Sequence, residues 1–203
     1  MTIAWKYLDK INASDILAQL DLEESKYILV SAHREENIDN EDNFISLMKA
    51  LNHIAQMYNV PVIYSTHPRT QKFIEMRKFE FHPLVKNVKP FGFFDYNKLQ
   101  LSSLCVLSDS GTLSEESAIL GFAGVLIRTS TERPEALDGG TVVVGGITER
   151  DIEQAVELAV EMKKNNDNGT LSSDYEDTNV STKVVKVIQS YTHITNKTIW
   201  LKG

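Results

Sequence analysis

The sequence predicts an α/β protein, a three-layer domain built on one parallel sheet, and two observations carry the prediction. Short apolar runs alternate with helical stretches at intervals of about 20 to 30 residues, the rhythm of strands joined by helical crossovers that cover both faces of a sheet. Five of these runs then end in a polar or aromatic cluster: HREEN (33–37), THPR (66–69), PFGFFDY (90–96), SDSGT (108–112) and RTSTERPE (128–135). In such sheets ligands bind beyond the carboxyl ends of the strands, where strand order switches, so five clusters on one rim form the expected site.

Taken in order, residues 1–26 read as a partly helical lead-in, with Ile11, Ile16, Leu17 and Leu20 at loosely helical spacing and Ser14 as an N-cap. The first strand is 27–32. An amphipathic helix follows over 43–57, with Phe44, Leu47, Met48, Leu51 and Ile54 on one face. Strand 60–65 and helix 70–78 repeat the unit, and 85–88 is a weaker third strand before a short helix ending near 102. Strands 104–107, 124–127 and 141–144 complete six, and 128–136 reads as a polar loop or short helix. Thr148 caps a helix to about 164, a polar linker spans 165–178, and a last helix covers 180–191.

Composition bounds the partners. A chain of 203 residues, 42% hydrophobic and 24% charged, is long enough for a substantial core and defaults to one domain. The 21 basic and 28 acidic residues give a net charge of -7, which opposes nonspecific binding to nucleic acid or an anionic membrane, so an anionic ligand must be held locally. The single cysteine, Cys105, lies in an apolar run and reads as a buried thiol in a reducing, cytoplasmic setting. No stretch reaches the length of a membrane span, and MTIAWKYLDK has no continuous apolar signal core. The histidines show no metal-ligand spacing, so no metal is expected. His53, His82 and His193 read as surface or partly buried residues.

The corner LSDSGTLSEE (107–116) is a strand, a turn and a helix start. Thr112 and Glu115 stand at capping-box spacing, and Gly111 admits close approach to the backbone. A helix N-terminus offers unpaired N–H donors and positive potential, so a phosphate can sit there without a lysine; a plain capped helix is the alternative. Neither G-x-G-x-x-G nor G-x-x-x-x-G-K-[ST] is present.

HREEN, THP, SDSGT with Glu115-Glu116, and TERPE followed by Gly140-Thr141 occur in the order and spacing of the non-hydrolysing UDP-N-acetylglucosamine 2-epimerase family, which this chain resembles over most of 27–146. SAHREENID, STHPRT, PFGFFDYNKLQ and the tail NVSTKVVKVIQSYT resemble the capsule and O-antigen branch that forms UDP-N-acetyl-L-fucosamine. The resemblance implies two Rossmann-like halves in the glycosyltransferase-B style with the sugar nucleotide between them, and this chain resembles the C-terminal half. It implies no cofactor, elimination of UDP to a 2-acetamidoglycal, and re-addition with protonation of C2 on the other face. The acidic catalytic residues then belong to a missing N-terminal half, and the fragment alone is expected to bind UDP or a UDP-N-acetylhexosamine without epimerising it.

By the same resemblance, Ser110, Gly111 and the N–H of Thr112 form the diphosphate cradle. Thr112 stands where most members have a second glycine, which narrows the approach. Glu116 matches the ribose ligand, for which a carboxylate serves as a double acceptor; otherwise it is a first-turn glutamate favoured by the helix dipole. Tyr96 falls where a ring packs on uracil and Phe91 where a backbone contact to the base is expected. Read without the resemblance, both are core aromatics. His33 and Arg34 follow the first strand; the match makes His33 a catalytic or diphosphate contact, and otherwise it is a strand-end histidine bonded to a neighbouring loop. Arg133 either reaches the diphosphate or clamps Glu132 or Glu135. His67 resembles a contact to a second, regulatory sugar nucleotide. The expected division is a lead-in over 1–26, a UDP-binding domain over 27–178, and a C-terminal helix and tail over 179–203. The two ends are expected to be mobile or to meet a second copy in a homodimer, with Ile199 and Trp200 as exposed apolar contacts. Two other readings remain: a stand-alone UDP-binding or regulatory module, and the donor half of a glycosyltransferase.

Overall fold

The computed structural model of the chain describes residues 6–201. The expectations for residues 1–5 and 202–203 lie outside the described residues. Six strands, β1 (Ile28–Ser31), β2 (Val62–Ser65), β3 (Val85–Val88), β4 (Cys105–Ser108), β5 (Gly124–Leu126) and β6 (Val142–Val144), form one sheet. Its order is β3-β2-β1-β4-β5-β6 and every pairing is parallel. Strand order therefore reverses between β1 and β4, whose last residues, Ser31 and Ser108, face each other. That pair of strand ends is the switch point at which open α/β sheets bind ligands.

Alternation along each strand divides the core. Ile28 and Val30 of β1, with Cys105 and Leu107 of β4, join the larger cluster on one face, while Leu29 and Val106 join the other. The larger cluster is closed by α4 (Glu41–Tyr58), α5 (Pro68–Arg77) and α9 (Glu149–Lys164) through residues such as Phe44, Leu51, Ile74, Ile152 and Val156. Burying such side chains stabilises by about 1.5–3 kcal/mol each. Helix α4 starts where the Asn40 side chain accepts from the Asn43 amide and stops at Asn59 in the left-handed region, φ 50°. Thr148 caps α9 as predicted, accepting from the Asp151 amide. Burial pushes the Cys105 thiol up to about 12, which suits a structural thiol and not a nucleophile.

The opposite face is covered by α1 (Leu8–Asn12), α2 (Ile16–Gln19), α6 (Phe93–Ser102), α7 (Thr112–Leu120) and α8 (Pro134–Asp138). The lead-in differs from expectation, because it packs on this chain's own α6. Ile11 and Ile16 are buried, Tyr7 meets Phe94 edge-on at 5.9 Å, and the Ser14 hydroxyl donates to Asp95 at 2.6 Å. Ser14 also accepts from the Ile16 amide, although the residue bordering α2 is Asp15. The HREEN segment contains a one-turn helix, α3 (Glu35–Ile38), that apolar periodicity could not reveal.

By its internal contacts the chain divides into one compact unit over residues 6–172 and a second that begins at Ser173. The second holds a 3-10 turn (Ser173–Tyr175) and α10 (Val180–Thr198), which runs well beyond the predicted end at 191 and has no buried residue. Val184, Ile188, Tyr191 and Ile194 are exposed along it, as are Ile199 and Trp200 beyond its end. No helix among the described residues is long and apolar enough to cross a membrane.

Candidate functional site

The site is assembled around Asp109, the first residue beyond β4, which is fully buried. Its Oδ2 accepts from the backbone amides of His33 and Arg34, both at 2.7 Å, and from Asn37 Nδ2 at 3.1 Å. Asn37, itself buried, also donates to the Ile127 carbonyl at 3.2 Å, and the Asp109 amide donates to the Ser31 carbonyl at 3.3 Å. One carboxylate thus ties the ends of β1, β4 and β5 together. Hydrogen bonds to a charged group contribute about 1.5–3 kcal/mol each, so the junction is held rigidly. His33 Nδ1 lies 3.5 Å from Asp109 Oδ1, which has no hydrogen-bond partner.

The corner after β4 differs from the capping-box reading. Helix α7 begins at Thr112, its cap position is Gly111 in right-handed conformation (φ -62°, ψ -26°), and no side chain caps it. The Thr112 hydroxyl instead meets Ser110 Oγ at 3.0 Å, and Glu115 reaches Arg133 Nη2 at 2.8 Å. Because Gly111 already takes up the first turn, Thr112 sits one position too far in to cap. The first amides of α7 are left without a side-chain acceptor, which strengthens the anion reading of this corner. A Cβ on Gly111 would meet only Arg128 Nη1, at 4.0 Å. Neither backbone conformation nor neighbouring protein atoms demand glycine there, so its effect is to leave space above the loop.

Two guanidinium groups stand at this corner. Arg128, 2% exposed, pairs through Nη1 with Glu132 Oε2 at 2.8 Å, while its Nη2 is buried without a partner. The Nε of Arg133 is also buried without one. The observed pairs are thus Arg128 with Glu132 and Arg133 with Glu115, so the predicted partner Glu132 is held by the other arginine. Buried polar atoms are rarely unpartnered, and two donor cations left so beside an open glycine and an uncapped helix fit an anionic ligand.

Glu116 points from α7 toward α6, where Gln100 Nε2 donates to its Oε2 at 2.7 Å. Burial raises its pKa above the usual carboxylate range, against the lowering effect of hydrogen bonds from Gln100 and Thr112. The Tyr96 hydroxyl bonds to Ser31 at the end of β1; burial drives its pKa far up, with Glu116 and Asp109 adding to the rise. The Tyr96 and Phe91 rings are partly buried against the second-face cluster. Ser110, Thr112 and Glu116 are therefore linked by hydrogen bonds, Arg133 pairs with the neighbouring Glu115, and Tyr96 bonds to the end of β1. Arg34 is on the rim, paired with Glu36 at 3.7 Å.

His67 has a local occupation. Its Nδ1 accepts from the Arg69 amide at 3.2 Å as the cap of α5, and its ring centroid is 5.9 Å from that of His33. Away from the rim, His53 Nδ1 pairs with Glu153 across α4 and α9, and Glu149 completes a group whose potential ligand atoms lie within 4.8 Å of one another. The sequence leaves His53 as an isolated surface residue because this contact spans two distant helices.

The model of the family described as UDP-N-acetylglucosamine 2-epimerase matches residues 3–189. The chain belongs to this family. A UDP-N-acetylglucosamine 2-epimerase of Methanococcus maripaludis is 35% identical over 136 residues, 65% of this chain and 37% of the relative. That of Methanocaldococcus jannaschii is 30% identical over 143 residues, 68% of this chain and 39% of the relative. Among solved structures, the Rickettsia bellii UDP-N-acetylglucosamine 2-epimerase has a TM-score of 0.79 at 34% identity, covering 98% of this chain and 53% of that one. The Neisseria meningitidis enzyme bound to UDP-GlcNAc has a TM-score of 0.73 at 26% identity, covering 90% and 51%. The chain thus spans about half, or less, of the length of the epimerases it matches.

Asp109, Asn37 and Arg128 were not among the predicted site residues of this epimerase-family chain. Asp109 and Asn37 lie inside the SDSGT and HREEN motifs, and only a buried ion just past a strand end at the switch point could have marked them.

Proposed function

We propose that this chain is the UDP-binding C-terminal domain of a UDP-N-acetylhexosamine 2-epimerase. The observation that carries the reading is the pair of buried, unpartnered guanidinium nitrogens, Arg128 Nη2 and Arg133 Nε, at the uncapped start of α7. On this reading a diphosphate lies on Ser110, Gly111 and the Thr112 amide, with the two guanidinium groups as its nearby cations. Glu116 then accepts from the ribose hydroxyls, Phe91 and Tyr96 border the uracil, and Arg34 and His33 stand at the sugar-side phosphate.

In the reaction the C1–O bond to the β-phosphate breaks as a base removes the C2 proton, giving a 2-acetamidoglycal and UDP. UDP adds back to C1 while a proton returns to C2 on the opposite face. The leaving oxygen gains negative charge, so a donor aimed at it from His33 stabilises the transition state more than the ground state. This reading takes the base from outside this rim. Asp109 is engaged by three donors, Glu115 by Arg133, Glu116 by Gln100 and Glu132 by Arg128. On this reading a second Rossmann half brings the carboxylates that move the C2 proton. The L-fucosamine branch of surface-polysaccharide synthesis is the expected setting, and His67, 5.9 Å from His33 by ring centroids, is the expected contact for a regulatory sugar nucleotide.

Calorimetry with UDP tests the binding step: saturable heat is expected, and none at millimolar ligand overturns the assignment. Proton NMR of UDP-GlcNAc in deuterated buffer tests the chemistry: the chain alone is expected to leave the C2 proton unexchanged. The same engaged carboxylates favour, as a second reading, a UDP-binding module without chemistry. Exchange restored by adding the N-terminal half of a relative would separate the two.

A further inference from the structure

Asp109 addresses one residue twice. Its Oδ2 accepts from the His33 amide, and its Oδ1, buried and without a hydrogen-bond partner, is 3.5 Å from Nδ1 of the same histidine. An ionised carboxylate accepts at both oxygens and donates at neither, so the role open to Nδ1 toward Oδ1 is that of donor. A shift of well under 1 Å in the half-exposed ring brings the contact into the usual N–H···O range of about 2.7–3.2 Å, and such contacts commonly tighten when a site fills. Neutral His67, whose ring centroid is 5.9 Å away, has no acceptor nitrogen to offer, because its Nδ1 lone pair is spent on the Arg69 amide.

We propose that Asp109 is a positioning residue for His33: it fixes the neutral imidazole as the Nδ1–H tautomer and turns Nε2 to the open rim. If the ring takes a second proton, the same carboxylate faces the added charge and Nε2 becomes the donor presented to an anion. The use of that donor on a departing phosphate oxygen rests on the epimerase reading above; the tautomer does not. His67 is the internal contrast, since a capping Nδ1 that accepts must belong to the Nε2–H tautomer when neutral.

Nitrogen-15 NMR of the ring nitrogens, at about pH 8.5 where an ordinary imidazole is neutral, reads both histidines in the 203-residue chain without any ligand. The expected spectrum has His33 mainly Nδ1–H and His67 mainly Nε2–H. A His33 that is mainly Nε2–H in the unaltered protein overturns the proposal. In Asp109→Asn the amide oxygen can keep the three donors while its NH2 group faces Nδ1, so the His33 tautomer is expected to invert and that of His67 to stay. An unchanged His33 tautomer in a variant whose His33 and Arg34 amide shifts are retained also overturns it. Should Asp109→Asn fail to fold, the spectrum of the unaltered protein decides alone. UDP calorimetry on the same sample reports separately on the epimerase reading, so the two can fail independently.

Discussion

The loop after β2 and the paired loops after β1 and β4 occupy the same rim, yet they meet their polar needs in opposite ways. The β2 loop is paired at the surface: His67 caps α5, and Arg69 reaches Glu35 and Asp39 of the β1 loop at 2.8 and 2.6 Å in the open. The β1 and β4 loops are sewn from within by a buried ion, and around that seam Asp109 Oδ1, Asn37 Oδ1, Arg128 Nη2 and Arg133 Nε lack partners. Polar groups paired in the open call for no particular ligand. A rim segment that leaves buried donors unanswered is prepared for an anion.

The sharpest way to break this comparison is to remove the seam. Asp109→Ala leaves three donors without their acceptor, each a penalty of about 1–3 kcal/mol, so a loss of about 3 kcal/mol or more is expected in urea unfolding. Arg69→Ala, which breaks only the exposed pairs to Glu35 and Asp39, is expected to leave the midpoint unmoved, because exposed pairs contribute little. A tenfold or larger weakening of UDP, about 1.4 kcal/mol, is expected for Arg128→Met by calorimetry. The unfolding midpoint should not fall with it, since Met fills similar volume and removes a buried charge with an unpartnered donor. Gly111→Ala should weaken UDP several-fold while leaving thermal stability intact; equal binding by the two proteins would mean that the space above Gly111 is unused.

The smallest effect tests electrostatics. Burial raises the Glu116 carboxyl above its unfolded value, so the native state holds that proton more tightly. Its stabilising contribution is present at acid pH and is lost as pH rises through the folded pKa. Glu116→Gln keeps an acceptor for Gln100 and abolishes the ionisation, so its midpoint should exceed that of the parent near pH 7. The difference should close near pH 4. A gap that widens on acidification would contradict a raised pKa.

Much of the fold was legible because it depends on local signals. All six strands were visible as apolar runs, and the long helices as periodic ones. The polar clusters after five of the strands located the rim before any strand order was known. The interior of the site was not legible, because its bonds join distant residues: the His33 amide and Asp109 are 76 positions apart, and Asn37 and Ile127 are 90. In sequence, Asp109 is one more turn former and Arg128 the start of a polar loop. Their burial depends on which strands become neighbours. The capping-box reading failed more locally, since Gly111 took the cap position at a right-handed φ and moved Thr112 inside the helix.

The bond between Asn37 and the Ile127 carbonyl extends the seam to a third strand end. Amide protons in surface loops ordinarily trade with solvent within seconds to minutes, yet the His33 and Arg34 amides donate to a carboxylate that water does not reach. To release either proton, the loops behind β1, β4 and β5 must part together. In hydrogen exchange, His33 and Arg34 should therefore behave as members of the central sheet's slow-opening unit, although both side chains face solvent.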